Sequence, residues 1–407
     1  MGQQAARNMK LLAQNTLGGF GGIGEGMGMQ KTRDGRRIMW LAHEHAPKNF
    51  SGVDVTDPRQ PKLIVQTDLP HMRVRANSLE ITGDILAVAH QTVEKGAEPA
   101  GIELWDVSKP EAPRLISFFD CSGPHSRGVH AVWFVDGEFI HCAAGARDFE
   151  PTHPMDDQPY MIVDVRNPSK PVEVGRWWLP GTRVGDAAPP PPRLPKFGPR
   201  QGGIRAHNTN VYPERPDRAY IAYFDGGAAI LDIADKAHPK LISHWNPGPP
   251  FHGLTHTVLP LFSRGLLIVT EEAVEDNAAD WPKLTWVVDC RNERNLVPIA
   301  TMPLPPVEEF RARGGRFGSH NLHENHPGEL AFHSDNLIFG TYFNAGVRVF
   351  DLTNPLRPEE VAFFIPDAPA GSRVPVAQIN DVYVDENATV YAVDRHSGGL
   401  YIMELTL

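Results

Sequence analysis

An aspartate, a short polar step, and prolines four and seven residues further on recur along this chain, and no other feature limits its fold so tightly. Asp54-Val-Thr-Asp-Pro58-Arg-Gln-Pro61, Asp106-Val-Ser-Lys-Pro110-Glu-Ala-Pro113, Asp164-Val-Arg-Asn-Pro168-Ser-Lys-Pro171 and Asp351-Leu-Thr-Asn-Pro355-Leu-Arg-Pro358 carry the whole pattern. Asp232-Ile-Ala-Asp-Lys236-Ala-His-Pro239 keeps the second proline, and Asp289-Cys-Arg-Asn-Glu293 keeps the aspartate and the polar step. Glu404 stands in the aspartate's place in the last unit. Seven units follow, spaced 52, 58, 68, 57, 62 and 53 residues apart, and such self-similarity marks a repeat architecture.

Each unit reads as four short strands. In the second, residues 76–81 and 85–90 flank a Thr82-Gly83-Asp84 turn, with further strands at 102–107 and 114–119. Proline cannot donate to a ladder, so the paired prolines end the third strand and set the turn into the fourth. Glycine (37) and proline (38) together make about 18% of the chain, as a turn-rich β protein requires. Four-stranded sheets repeated radially make a propeller, and seven units lie within its range of blades. The expected fold is therefore all-β, a seven-bladed β-propeller forming one domain over residues 1–407, although length alone suggests two or three domains. The blades are expected near 26–70, 71–121, 122–181, 204–248, 249–305, 306–366 and 367–407. The last unit reaches Leu407 before a fourth strand, while Lys10–Leu17 matches Lys62–Leu69, a fourth strand elsewhere. An N-terminal strand over 8–17 is thus expected to complete the last blade and remove its open edge.

These repeats resemble the LVIVD-repeat propellers, a group similar in architecture to selenium-binding-protein-type propellers. The resemblance implies the fold and leaves the activity open, because the repeated residues are structural.

Eighteen histidines make a second pattern. With the units superposed on their aspartates, the first strands begin Arg75-Ala-Asn77, Val129-His130, Arg205-Ala-His207, Thr255-His256, Ser319-His320 and Ile379-Asn380. The first strand of every blade lines the central axis, so His130, His207, His256 and His320 are expected to form a ring at one mouth of the channel. Any one of them alone reads as a hydrogen-bonded core histidine. In register in four consecutive blades, they read as ligands of a divalent metal ion, iron first and copper second, with zinc or manganese also compatible. The arrangement, though no sequence motif, is similar to carotenoid-cleavage oxygenases, seven-bladed propellers whose four axial histidines hold non-haem iron.

Second-strand ends should lie at the same mouth. There Glu271 and Glu272 are candidates to orient a ligand imidazole or to act as a general base. Arg75 and Arg205, two residues before the ring position, are candidates to anchor a substrate carboxylate or phenolate, or else to close one blade onto the next. His43-Glu44-His45 lies in a strand with spacing too close for the helical zinc-protease motif. His323, His326 and His333 read as loop residues. Two long loops, Pro180–Gly203 with Phe197 and Pro189–Pro192, and Pro303–Gly318 with Phe310 and Phe317, suggest a lid over an apolar pocket; the proline-rich one also suits a docked protein partner. The glycines of Gly18–Gly28 precede no helix and make a poor nucleotide fingerprint.

A net charge of -10 with scattered Lys and Arg argues against nucleic acid as a partner, and no apolar run is long enough to span a membrane. MGQQAARNMK shows no secretory signal, and three cysteines without a C-x-x-C pair point to a cytoplasmic location. The function expected is a metal-dependent oxidoreductase acting on a small aromatic or anionic organic substrate. A metal-dependent hydrolase or lyase is the alternative, followed by a non-catalytic propeller scaffold.

Overall fold

The repeated aspartate builds the turns on which the fold depends. The computed structural model describes residues 4–193 and 202–407. Oδ1 of Asp54, Asp106, Asp164, Asp232, Asp289 and Asp351 each accepts the backbone N–H two residues on, at 2.7–3.0 Å. This Asx turn ends a strand at each place, because the side chain replaces the ladder as acceptor. Asp57, Asn167, Asp235, Asn292 and Asn354 repeat the device three residues later, at 3.0–3.2 Å.

Seven antiparallel four-stranded sheets result, and the protein is a seven-bladed β-propeller. Blade one comprises Ile23–Lys31, Arg37–His43, Lys48–Asp54 and Lys62–Asp68; blade two Val74–Thr82, Ile85–Thr92, Gly101–Asp106 and Arg114–Asp120. Blade three comprises Val129–Trp133, Phe139–Ala144, Tyr160–Asp164 and Val172–Trp177; blade four Thr209–Asn210, Arg218–Tyr223, Gly227–Asp232 and Lys240–Trp245. Blade five comprises Thr255–Leu261, Leu266–Glu271, Thr285–Asp289 and Val297–Thr301. In blade seven, Ile379–Val384, Thr389–Asp394 and Leu400–Leu405 are joined by Met9–Asn15, which runs antiparallel to the last with Met9 opposite Leu405.

Blade six departs from the expected span. Its sheet starts at Leu337–Thr341 and continues through Val347–Asp351 and Glu359–Ile365, because a helix, Val307–Arg313, fills part of the preceding connection. Its inner strand is reduced to one bridge, Leu322 to Gly340. Ala5–Arg7 adds to its outer edge, so the N-terminal segment serves two blades, turning between them at Asn8 with φ 52°. Asparagine tolerates that left-handed conformation better than other side chains.

Apolar cores lie between neighbouring blades, where aromatic rings meet edge to face: Phe50 and Trp105 at 5.2 Å, Trp177 and Tyr223 at 5.5 Å, Trp245 and Trp286 at 5.5 Å. Second strands such as Arg37–His43 are buried on both faces, which is why their sequences alternate so little.

Candidate metal centre

Each first strand is interrupted where it reaches the axis. The pairing with the second strand slips between Ala76 and Ser78, Val129 and Ala131, Thr255 and Thr257, and Ile379 and Asp381. A β-bulge leaves a residue unpaired and re-aims its side chain. The residues so released are Asn77, His130, His256 and Asn380, while His207 and His320 stand just ahead of the shorter inner strands of blades four and six. Blade one has a longer bulge, from Ile23 to Met27, and it releases Glu25. The bulge needs its glycines. A Cβ on Gly24 would stand 2.5 Å from the Asn77 carbonyl oxygen, and one on Gly26 would stand 2.3 Å from the Leu79 nitrogen.

The four histidines are buried and meet at one point, neighbouring ring centroids being 4.2, 4.0 and 4.4 Å apart. Glu25 sits among them: Oε2 is 3.6 Å from His130 Nε2, 3.7 Å from His207 Nε2 and 3.5 Å from His256 Nε2, and Oε1 is 3.6 Å from His320 Nε2. The far nitrogens are held from behind. His130 Nδ1 lies 3.0 Å from Gln91 Oε1, His207 Nδ1 2.9 Å from Asn208 Oδ1, His256 Nδ1 2.9 Å from Thr257 Oγ1, and His320 Nδ1 2.7 Å from the Asn380 carbonyl oxygen. A carbonyl oxygen only accepts, so His320 carries its proton on Nδ1 and turns the Nε2 lone pair to the centre. Gln91 and Asn208 give His130 and His207 the same tautomer. Nε2 of His256 and of His320 is buried without a hydrogen-bond partner.

Burial and the neighbouring positive charges hold His130 and His207 well below the usual imidazole range, and His320 below it. Neutral imidazoles are the ligand form. Burial opposes the charge of Glu25, but His256 and His320, then His207 and His130, hold its carboxyl well below the usual range. The centre is thus a cluster of lone pairs around a carboxylate, and donor atoms 3.5–3.7 Å apart can share one ion at bond lengths of about 2.0–2.2 Å.

A second layer comes from residues at or just past the ends of second strands. Gln91 holds His130 and accepts from Arg75 at 2.6 Å. Phe224 stacks on His207 at 4.6 Å and Phe343 on His320 at 4.5 Å. Glu272 Oε1 lies 3.7 Å from His320 Nε2 and accepts from Arg316 at 2.9 Å. Glu44 takes both Arg75 and Arg395, the latter at 2.7 Å.

On the other side of the ring, a cavity of about 50 Å³ is lined by Glu25, Glu80, Asn210, Glu324, His326 and Asp381 among others. Burial pushes Asp381 well above the usual carboxylate range and raises Glu324 and Glu80. The segment after His320 closes this end. Glu324 accepts from Asn208 and Asn210 at 2.8 and 2.9 Å, His326 pairs with Glu80 at 2.9 Å, and the Phe332 N–H donates to the Val384 carbonyl. His323 and His326 lie in a loop, as expected, and that loop forms part of the channel's floor.

The structure brings together all four expected histidines and Glu272. Glu271 goes elsewhere: successive side chains on a strand point to opposite faces, and its Oε2 accepts the Leu284 N–H at 2.9 Å. It cannot serve as a base at the ring. Arg75 acts on the ring through Gln91 and through its charge near His130. Arg205 stands at the mouth over Phe224, its guanidinium carbon 4.3 Å from the ring centroid. His43 is bound to Ser51 at 2.7 Å, away from the centre. Of the expected lids, Phe310 and Phe317 are buried and stacked 5.4 Å apart, a packed rim rather than a cover over open space. Phe197 lies outside the described residues. Glu25 stands 29 residues before Asp54, as Asn77 stands 29 before Asp106, so it holds the ring position of blade one; the signal was a lone acid inside Gly24-Glu25-Gly26.

The LVIVD repeat model matches residues 156–178 and 217–246, so the chain carries LVIVD repeats. No curated protein matches the chain. Among solved structures it is similar to the β-propeller domain of Cps50 (Swd1) from Myceliophteria thermophila, at 13% identity and a TM-score of 0.55, covering 94% of this chain and 98% of that one. At that identity the likeness concerns the fold. Among the described residues no helix is long and apolar enough to cross a membrane.

Proposed function

We propose, for a chain that carries LVIVD repeats on a seven-bladed propeller, a metal-dependent oxidoreductase similar in architecture to selenium-binding-protein-type propellers, with His130, His207, His256 and His320 holding the ion and Glu25 balancing its charge. One observation carries the reading: the Nε2 atoms of His256 and His320 are buried, unpartnered and directed at the same carboxylate. An unsatisfied buried nitrogen costs about 1–3 kcal/mol, and a bound cation removes the cost for all the rings together. Iron, or copper second, would supply one-electron chemistry toward dioxygen and a small organic substrate.

The chain's own groups do the rest. Gln91, Asn208 and the Asn380 carbonyl fix the tautomers of three rings, and Thr257 helps to aim the fourth. Glu272, placed 3.7 Å from His320 and held by Arg316, is the group positioned to take a proton at the mouth. Asp381 and Glu324, both raised by burial, line the closed side. The ionised Glu272 also supports a second reading, a hydrolase or lyase that uses zinc or manganese as a Lewis acid.

Elemental analysis of the purified protein tests this. About one tightly held ion per chain is expected, lost in His256→Ala. Iron or copper favours oxidation, and zinc or manganese favours the second reading. Absence of any ion, with His256→Ala unchanged, overturns both and leaves a non-catalytic propeller.

A further inference from the structure

Among the described residues, Arg348, the other buried arginine, and the partly buried Arg75, Arg127, Arg316 and Arg395 are paired with carboxylates, and Arg205 is not. Arg75 and Arg395 share Glu44, Arg127 holds Asp157, Arg316 holds Glu272 and Arg348 holds Glu360. Arg205 is 7% exposed, and among the described residues no carboxylate oxygen lies within 4.0 Å of it. Its partners are neutral: Nε donates to the Gly202 carbonyl at 3.0 Å, Nη1 donates to Gln158 Oε1 at 3.0 Å, and the Phe224 face lies beneath. A buried charge without a counter-charge is costly and rare.

Its position gives the exception meaning. Arg205 lies two residues before His207 and rests on Phe224, the ring that stacks on His207. Around this mouth Arg75, Arg205, Arg316 and Arg395 face Glu44, Glu272 and the ring's Glu25, an excess of one positive charge before any ion binds. A guanidinium has five N–H donors; Gly202 and Gln158 take two of Arg205's. The remaining three, one on Nη1 and two on Nη2, are bonded to no described residue and suit a planar two-oxygen acceptor.

We infer that Arg205 is the recognition point for the carboxylate of a small organic acid, holding it at the mouth beside the histidine ring. This deepens the proposed function by naming the substrate class, and it rests on that reading only for what happens at the substrate's other end. Phe224 serves as the spacer that sets the carboxylate's place relative to His207.

Calorimetric titration with benzoate, and with benzamide as its neutral counterpart, tests the inference on the full chain both metal-free and loaded with copper(II). Wild type should prefer benzoate by about tenfold or more in both forms. Arg205→Gln should abolish the preference, and Arg205→Lys should keep part of it. Equal binding of the two probes by wild type, or an undiminished preference in Arg205→Gln, overturns the assignment. If the metal-free protein shows the preference while copper fails to bind the ring, the proposed function falls and the carboxylate site stands.

Discussion

The Nε2 atoms of His130 and His207 lie 2.6 Å apart, although the Nδ1 atoms of both rings are engaged by amide oxygens of Gln91 and Asn208. Two lone pairs at that separation repel unless a cation lies between them. His207→Ala should therefore lose the metal ion and the stability that goes with it. In wild type, free ion at a hundredfold excess over Kd should add about 2.7 kcal/mol, seen as a rise in Tm. Calorimetry that shows the same rise in the variant would refute shared binding.

Glu25→Gln keeps the shape at the centre and removes its charge. Metal affinity should fall by about 10–100-fold, as for other groups that tune a site. Competition against a chromophoric chelator measures it, and an unchanged affinity would show that the carboxylate does not contribute.

Gly26→Ala should disturb both fold and site. The added Cβ would lie 2.3 Å from the Leu79 backbone nitrogen, which is not a movable side chain. Overpacking of this kind costs about 1–3 kcal/mol. Because Glu25 is the next residue, metal affinity should fall together with the urea midpoint. A variant that loses stability and keeps affinity would separate the bulge from the site.

Glu271 gives a pH signature. Burial raises its carboxyl from 4.5 to about 7. A folded pKa above the unfolded one means that the fold favours the protonated form. Its contribution is complete below pH 4.5 and is lost as pH rises through 7. Glu271→Gln keeps an acceptor for the Leu284 N–H and cannot ionise. The variant should match wild type in acid and exceed it above pH 7 by on the order of 2–3 kcal/mol, measured by urea unfolding across that range. Parallel pH profiles for the two proteins would contradict the assignment.

The propeller was legible in the chain because its turns are local. Asp54 and its counterparts accept an N–H two residues away, so each turn leaves its own imprint and seven imprints give the architecture. The four histidines were legible for a related reason: blades with the same one-residue bulge place the same sequence position on the axis. Glu25 was not, although it stands as far before Asp54 as Asn77 does before Asp106, since a lone glutamate does not continue the histidine pattern.

By itself, then, the sequence determined the repeat, the all-β propeller and four members of the ring, each encoded by contacts a few residues long. Only the tertiary structure decided that Glu272 and not Glu271 faces the ring, that Glu25 joins it, and that the segment after His320 closes the channel. It also decided that the N-terminal segment pairs with both Glu359–Ile365 and Leu400–Leu405. The physical reason is the same in each case. A side chain's direction depends on strand register, and register is set by partners tens to hundreds of residues away.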